Sequence, residues 1–136
     1  MPVPHTRIER YLALPRPMGN YQDLHVWQKS VDLVADIYSA TKSFPDNERF
    51  ELRKQMRSAA VSISSNIAEG QGRSTRKDYR NFVLLARGSL LELETQVVIC
   101  GRVGYIAGDE CERLKGKTRE IGRMINGLVR YLTPDA

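Results

Sequence analysis

The stretch from Pro45 to Gly72, PDNERFELRKQMRSAAVSISSNIAEGQG, constrains this chain most, because nothing between its opening Pro-Asp and its closing glycines breaks a helix. At 3.6 residues per turn it predicts one helix of about six turns. Asp46 is placed to accept from the free N–H groups of the first turn, and Glu48 suits the positive end of the macrodipole. Gly70 or Gly72 can take the left-handed conformation that stops the helix. Leu52, Met56, Ala59, Ile63 and Ile67 recur at three- and four-residue steps and so form an apolar stripe. Ser58, Ala60, Ser62, Ser64 and Ser65 flank that stripe, and such small side chains let a second helix approach closely. Serines without a base or oxyanion donors are packing residues rather than nucleophiles.

Two polar residues in this helix need partners. Asn66 falls on the apolar side, where an amide must be hydrogen-bonded. Glu69 is an anion at the negative end of its own helix, an unfavourable position unless a donor compensates. The sequence therefore predicts that Asn66 and Glu69 bind neighbouring elements and fix their register.

Three further helices are readable. The first is expected from a cap at Asp23 to Lys42, with Leu24, Trp27, Val31, Val34 and Ile37 inward, Tyr38 at the edge, and Asp32 and Asp36 outward. The third is expected from a cap at Ser74 to Arg102, with Tyr79, Phe82, Ala86, Leu90, Leu93 and Val97 inward. Gly88 and Ser89 lie in its middle, and a mid-helix glycine costs about 1 kcal/mol relative to alanine, which close contact with another helix would explain. Glu94, near the apolar edge, calls for an Arg or Lys from another helix or subunit. The GRVGYIAGD turn then leads to a cap at Asp109 and a last helix in which Cys111, Leu114, Thr118, Ile121, Ile125, Leu128 and Leu132 alternate by threes and fours until Pro134. Four amphipathic helices with short connections predict an all-α, antiparallel up-down-up-down four-helix bundle over residues 21–136. Residues 1–20 hold four of the six prolines and read as an irregular tail, or as an arm that docks Ile8, Tyr11, Leu12 and Leu14 on a neighbour.

Charge is uneven along the chain. The formal net charge is +5 and the isoelectric point about 9.4. From Gly70 to Arg87, five cations (Arg73, Arg76, Lys77, Arg80, Arg87) face one acid (Asp78), a net +4 that nearly equals the whole excess. At about 100° per residue, Arg73, Arg76, Arg80 and Arg87 project within about 60° of one another and form a stripe. In the second helix Arg49, Arg53 and Arg57, with Lys54 beside them, form a second row. The segment from Tyr21 to Asp46 has two lysines against four aspartates, net −2, and is a poor phosphate-binding face. Tyr79 and Tyr105 are the aromatics near the basic stripe that could stack on a base, with Tyr79 better suited to the core.

Other chemistries find little support. Two histidines, His5 and His25, lack Cys or carboxylate neighbours at ligand spacing, so no metal is expected. Cys100 and Cys111 are too few for a disulfide framework and read as buried thiols of an intracellular protein. There is no Gly-rich phosphate loop, no histidine placed for base work and no isolated carboxylate pair, so the sequence predicts a protein that is not an enzyme and needs no cofactor. No apolar run approaches the length needed to span a bilayer and no signal-peptide core is present, which predicts a soluble, cytoplasmic protein without membrane contact.

The segments FPDNERFELRKQMRSAAVSISSNIAEGQGR, DLHVWQKSVDLVADIY and DYRNFVLLARGSLLELETQV resemble a small four-helix-bundle family. Its best-known members are encoded by intervening sequences inside bacterial large-subunit ribosomal RNA genes, and a related branch is the accessory variability determinant of diversity-generating retroelements. The resemblance runs from Tyr21 to Leu132, with the SISSNIAEG and ARGSLLELE runs its most specific parts. It implies a pentameric ring and, for the retroelement branch, binding of RNA or DNA and of a reverse transcriptase. On these grounds the basic residues Arg49, Arg53, Arg57, Arg73, Arg76, Lys77, Arg80 and Arg87 are the expected nucleic-acid-binding set. Asn66, Glu69 and Glu94 are the expected structural polar residues. The alternative is a homo-oligomeric scaffold, or an intervening-sequence protein, whose basic face binds a protein partner or nothing specific.

Overall fold

The computed structural model describes residues 20–48 and 51–134, Glu48 by its backbone alone. The sequence-predicted tail and its Ile8, Tyr11, Leu12 and Leu14, as well as Arg49, lie outside the described residues. Four α-helices follow one another: α1 His25–Ala40, α2 Leu52–Gln71, α3 Arg76–Val103 and α4 Gly108–Leu132. Each packs on its neighbour in sequence, and α1 also packs on α4, which closes the bundle. Pairs such as Lys29–Glu120 and Asp36–Arg113, together with the meeting of Arg76 and Tyr131, show the neighbours running antiparallel. This is the predicted all-α four-helix bundle. No helix among the described residues is long and apolar enough to cross a membrane.

The core is the sum of four stripes. On α4 the predicted seam is buried throughout, from Cys111 through Leu114, Thr118, Ile121, Ile125 and Leu128 to Leu132. On α2 Met56, Ala59, Ile63 and Ile67 are buried and Leu52 packs at their margin. A fully buried Leu or Ile contributes about 1.5–3 kcal/mol relative to exposure, so these stripes are what holds the bundle together. On α3 Ala86, Leu90, Leu93 and Val97 are inward as predicted, with Tyr79 and Phe82 at the margin and Val83 and Cys100 added. Both cysteines are free and buried, Cys100 Sγ lying 3.4 Å from Met56 Sδ.

The first helix differs from its prediction in phase. Val26, Ser30, Leu33 and Ile37 face the core, while Trp27 and Val34 are half-buried and Val31 is exposed. A serine can hold a core position here because its hydroxyl donates to the Val26 carbonyl at 2.6 Å, which satisfies it within its own helix. Trp27 sits instead at the edge, its ring edge-on to Tyr21 with centroids 5.2 Å apart.

The helix ends are also displaced. A 3₁₀ turn at Tyr21–Asp23, capped by Asn20 Oδ1 accepting from the Gln22 N–H at 2.8 Å, precedes α1, so Asp23 is not its cap. Asp46 and Glu48 belong to a separate 3₁₀ turn, and α2 begins only at Leu52. Gly72 ends α2 with φ −80°, in the right-handed region, rather than by a left-handed cap. The cap of α3 is Thr75, whose hydroxyl accepts from the Asp78 N–H at 3.1 Å; Ser74 lies one residue outside. Gly104, at φ +81°, supplies the left-handed stop of α3. Ala107 rather than Asp109 precedes α4, and Asp109 Oδ1 accepts from the Glu110 N–H in its first turn.

Close helix approach occurs at Gly70 and not at Gly88. A Cβ on Gly70 would stand 2.8 Å from Phe82 Cβ and 3.1 Å from the Tyr79 carbonyl oxygen, whereas Gly88 is exposed and faces open space. Gly70 therefore seats the first turns of α3 against the end of α2. Ser89, beside Gly88, does make the helix contact its position suggests, hydrogen-bonding Ser62 at 2.9 Å.

Candidate nucleic-acid interface

The basic residues separate into two groups at opposite ends of α2. Arg57 and Arg73 are 16 residues apart along one nearly continuous helical path, so about 24 Å of rise separates the groups. The two basic rows therefore lie apart on the bundle.

At the first end, Arg53 and Lys54 line a shallow groove with Arg57, Ser58, Val61 and Tyr38. Arg57 is committed to the fold. Its guanidinium lies 4.2 Å from the centre of the Tyr38 ring and donates to the Tyr38 carbonyl at 3.1 Å and to the Thr41 hydroxyl at 3.0 Å. These bonds help to satisfy the polar groups left open where α1 ends. A neighbouring recess shared by Lys54 also contains Glu92, which dilutes the positive potential there.

At the other end, the start of α3 meets the finish of α4. Arg76, Lys77 and Arg80 on one side and Arg130 on the other line a cleft of about 540 Å³, together with Tyr131, Leu132, Thr133 and Pro134. No carboxylate is among these lining residues. Arg76 is held in place, its guanidinium 4.6 Å from the centre of the Tyr131 ring and donating to the Tyr131 carbonyl. Lys77, Arg80 and Arg130 form no ion pair with any described residue. Arg73 stands just outside, over the Phe82 ring at 4.5 Å. Arg87 lies farther along α3 and donates to Asn126 Oδ1 at 3.3 Å, so it fastens α3 to α4.

Sequence pattern does not single out Arg130, because it is distant in sequence from the basic stripe. The topology holds the clue: antiparallel helices joined by a short turn bring the end of α4 beside the start of α3.

The expected structural polar residues behave differently from prediction. The Asn66 amide donates to the Ser62 carbonyl at 2.8 Å and to the Ser62 hydroxyl at 3.0 Å, all within α2. It reaches α3 through Ser62, whose hydroxyl hydrogen-bonds Ser89. Glu69 is exposed and forms no ion pair among the described residues. Glu94 is met from another helix as anticipated, but by a hydroxyl rather than a cation: Thr118 Oγ1 lies 3.3 Å from Glu94 Oε2 and 3.0 Å from the Lys115 carbonyl. Asp36, read as outward, instead turns to α4, where it pairs with Lys117 and Arg113.

The candidate stacking aromatics are not available. Tyr79 is largely buried, its hydroxyl has no hydrogen-bond partner, and burial pushes its ionisation well above the usual phenol value. Tyr105 is partly buried against Phe44, ring centres 5.3 Å apart. Among the described residues no group of three or more His, Cys, Asp or Glu side chains is arranged to hold a metal ion.

Fold and surface together define a small antiparallel four-helix bundle with an electropositive cleft at one end. The chain belongs to the 23S rRNA-intervening sequence protein family, whose model matches residues 22–127. It is also similar to the crystal structure of a protein with unknown function from the S23 ribosomal protein family of Bacteroides thetaiotaomicron, at 26% identity and a TM-score of 0.71, over 77% of this chain and 98% of that one. No curated protein matches the chain. Neither the family model nor that structure bears on the retroelement branch.

Proposed function

We propose that this protein is a non-enzymatic, oligomeric accessory protein that binds nucleic acid through the cleft between the start of α3 and the end of α4. The observation that carries this reading is the set of cations in that cleft, three of which have no counter-charge among the described residues. Where α4 meets α1 the cations are neutralised by acids, so leaving these open favours an anionic partner, with phosphates the obvious class. The Tyr131 ring in the cleft is already covered by the Arg76 guanidinium, so charge and shape rather than base identity govern recognition. Ser62 of α2 hydrogen-bonds to Ser89 of α3 and Ser64 to the Val61 carbonyl, with no base beside them, which supports binding rather than nucleophilic chemistry.

The oligomeric part of the proposal rests on α3, whose outer side exposes Leu85, Leu91, Val98, Ile99 and Val103. A row of large apolar side chains on one helix suits packing against another subunit, and the family resemblance suggests five copies. A ring would multiply weak phosphate contacts. By the same resemblance, a reverse transcriptase is the protein partner to test first. If the cleft proves inert, these apolar residues favour the scaffold reading.

Size-exclusion chromatography with light scattering, at low and high salt, with and without a structured RNA, tests the proposal. A salt-stable oligomer that carries RNA at low salt and sheds it at high salt is expected. An oligomer that ignores RNA at every salt concentration would leave only the scaffold.

A further inference from the structure

Resting on the nucleic-acid reading above, we infer that the cleft formed by Arg76, Lys77, Arg80 and Arg130 is a site for a terminal phosphate, so that the protein distinguishes phosphorylated nucleic-acid ends from internal backbone. Three features of the cleft point to an end. Its cations converge from two different helices on one concavity instead of lying along a ridge, whereas an internal strand, with one charge per phosphate, is best met by an extended track. A phosphate monoester carries close to two negative charges at neutral pH and offers three acceptor oxygens, which suits several donors around one point. The chain itself, Leu132 to Pro134, lines one side of the cleft where α4 ends, which favours entry of a ligand's end over passage of an internal strand.

The cleft is also prepared for binding. Tyr131 holds the Arg76 guanidinium by its ring and its carbonyl, so this donor keeps one orientation and loses little freedom when a ligand arrives. Arg80 and Arg130 reach the site from opposite walls with no competing carboxylate among the described lining residues. At about 540 Å³ the space falls in the range of small-ligand sites, more than a bare phosphate fills and suited to a terminal nucleotide.

Fluorescence anisotropy with one short single-stranded RNA in three forms, 5′-phosphorylated, 3′-phosphorylated and with both ends hydroxyl, tests this. A phosphorylated end should tighten binding about tenfold over the hydroxyl form, the gain of one or two charge-assisted hydrogen bonds, and the 5′ and 3′ forms report which end is read. The double variant Arg80→Gln, Arg130→Gln should erase that preference while its helical circular dichroism stays unchanged, since neither side chain supports the fold. Equal affinity for all three forms would overturn the end-binding inference and leave general nucleic-acid binding standing. A preference that survives in the double variant would overturn the assignment to this cleft. Failure of all three RNAs to bind would overturn the nucleic-acid reading, and this inference with it.

Discussion

Two sets of cations on α4 sit in opposite electrostatic settings, with Arg119 and Arg123 belonging to neither. Along the face that meets α1 one set is paired: Lys117 and Arg113 with Asp36, Arg113 also with Glu110, while Glu120 takes Lys29 from α1. At its last turn Arg130 faces Arg76, Lys77 and Arg80 across a cleft with no acid among its described lining residues. Composition treats these residues alike. The first set uses its charge inside the molecule and serves the α1–α4 contact, whereas the second has no ion-pair partner for Lys77, Arg80 and Arg130 among the described residues and is the set proposed to meet a partner.

The largest effect should come from the open end. Lys77→Glu with Arg80→Glu should weaken RNA binding about a hundredfold, the effect of removing two charge-assisted hydrogen bonds, with helical signal and oligomer mass unchanged. Lys117→Glu, a charge reversal on the paired face, should leave RNA affinity nearly as it was and lower the melting temperature; equal drops in affinity from both reversals would erase the distinction. Arg76 is a poorer choice for this test because its removal also frees the Tyr131 carbonyl.

A smaller effect is expected at the seat of the cleft. Gly70→Ala forces a Cβ against Phe82 and the Tyr79 backbone, which should cost about 1–3 kcal/mol and lower the melting temperature by about 5 °C. Because the same contact positions the first turns of α3, RNA affinity should fall in parallel. Full tolerance in calorimetry would show that the cleft does not depend on this contact.

Smaller again is Asp36→Asn, which removes the common partner of Arg113 and Lys117. Pairs of this exposure contribute about 1 kcal/mol or less, so a small drop in melting temperature, diminished by added salt, is expected, with RNA binding retained. Insensitivity to salt would point to packing in place of charge.

The last effect is one of pH. A hydrogen bond from Arg113 holds the Glu110 carboxyl below its usual 4.5, opposed by some desolvation, and a hydrogen bond from Lys29 does the same for Glu120. For a depressed carboxyl the stabilising contribution is complete above the unfolded value and is lost as pH falls through the folded one. The melting temperature should therefore hold steady down to about pH 4.5 and decline below it. Glu120→Gln should make the decline shallower, and an unchanged acid limb would remove that pair from the account.

Much of the fold is legible in the sequence because long amphipathic helices write their buried face at regular spacing. The α4 seam, from Cys111 to Leu132, is the clearest case, and the small residues around Ser62 do mark a helix contact. The phase of α1 escapes the apolar pattern because Ser30 fills a core position while satisfying its hydroxyl on its own backbone, and because Trp27, large but amphipathic, prefers an edge. Gly70 and Gly88 look alike in sequence, yet only the first meets another backbone. The candidate site is half legible: Arg76, Lys77 and Arg80 stand in one basic run, but Arg130 joins them only through the antiparallel return of α4. That Arg57 fastens α1 is likewise invisible until Tyr38 and Thr41 are seen beside it.

The central claim, that the α3–α4 cleft carries unpaired charge for phosphates, is tested most directly by the salt dependence of RNA affinity, compared between the natural protein and the Arg80→Gln, Arg130→Gln variant. Each phosphate neutralised on a single strand contributes about 0.7 to the slope of log affinity against log salt. The account predicts that the variant's slope is shallower by about 1.4, because two fewer phosphate charges are neutralised. Identical slopes would contradict it and return these arginines to the solvated surface.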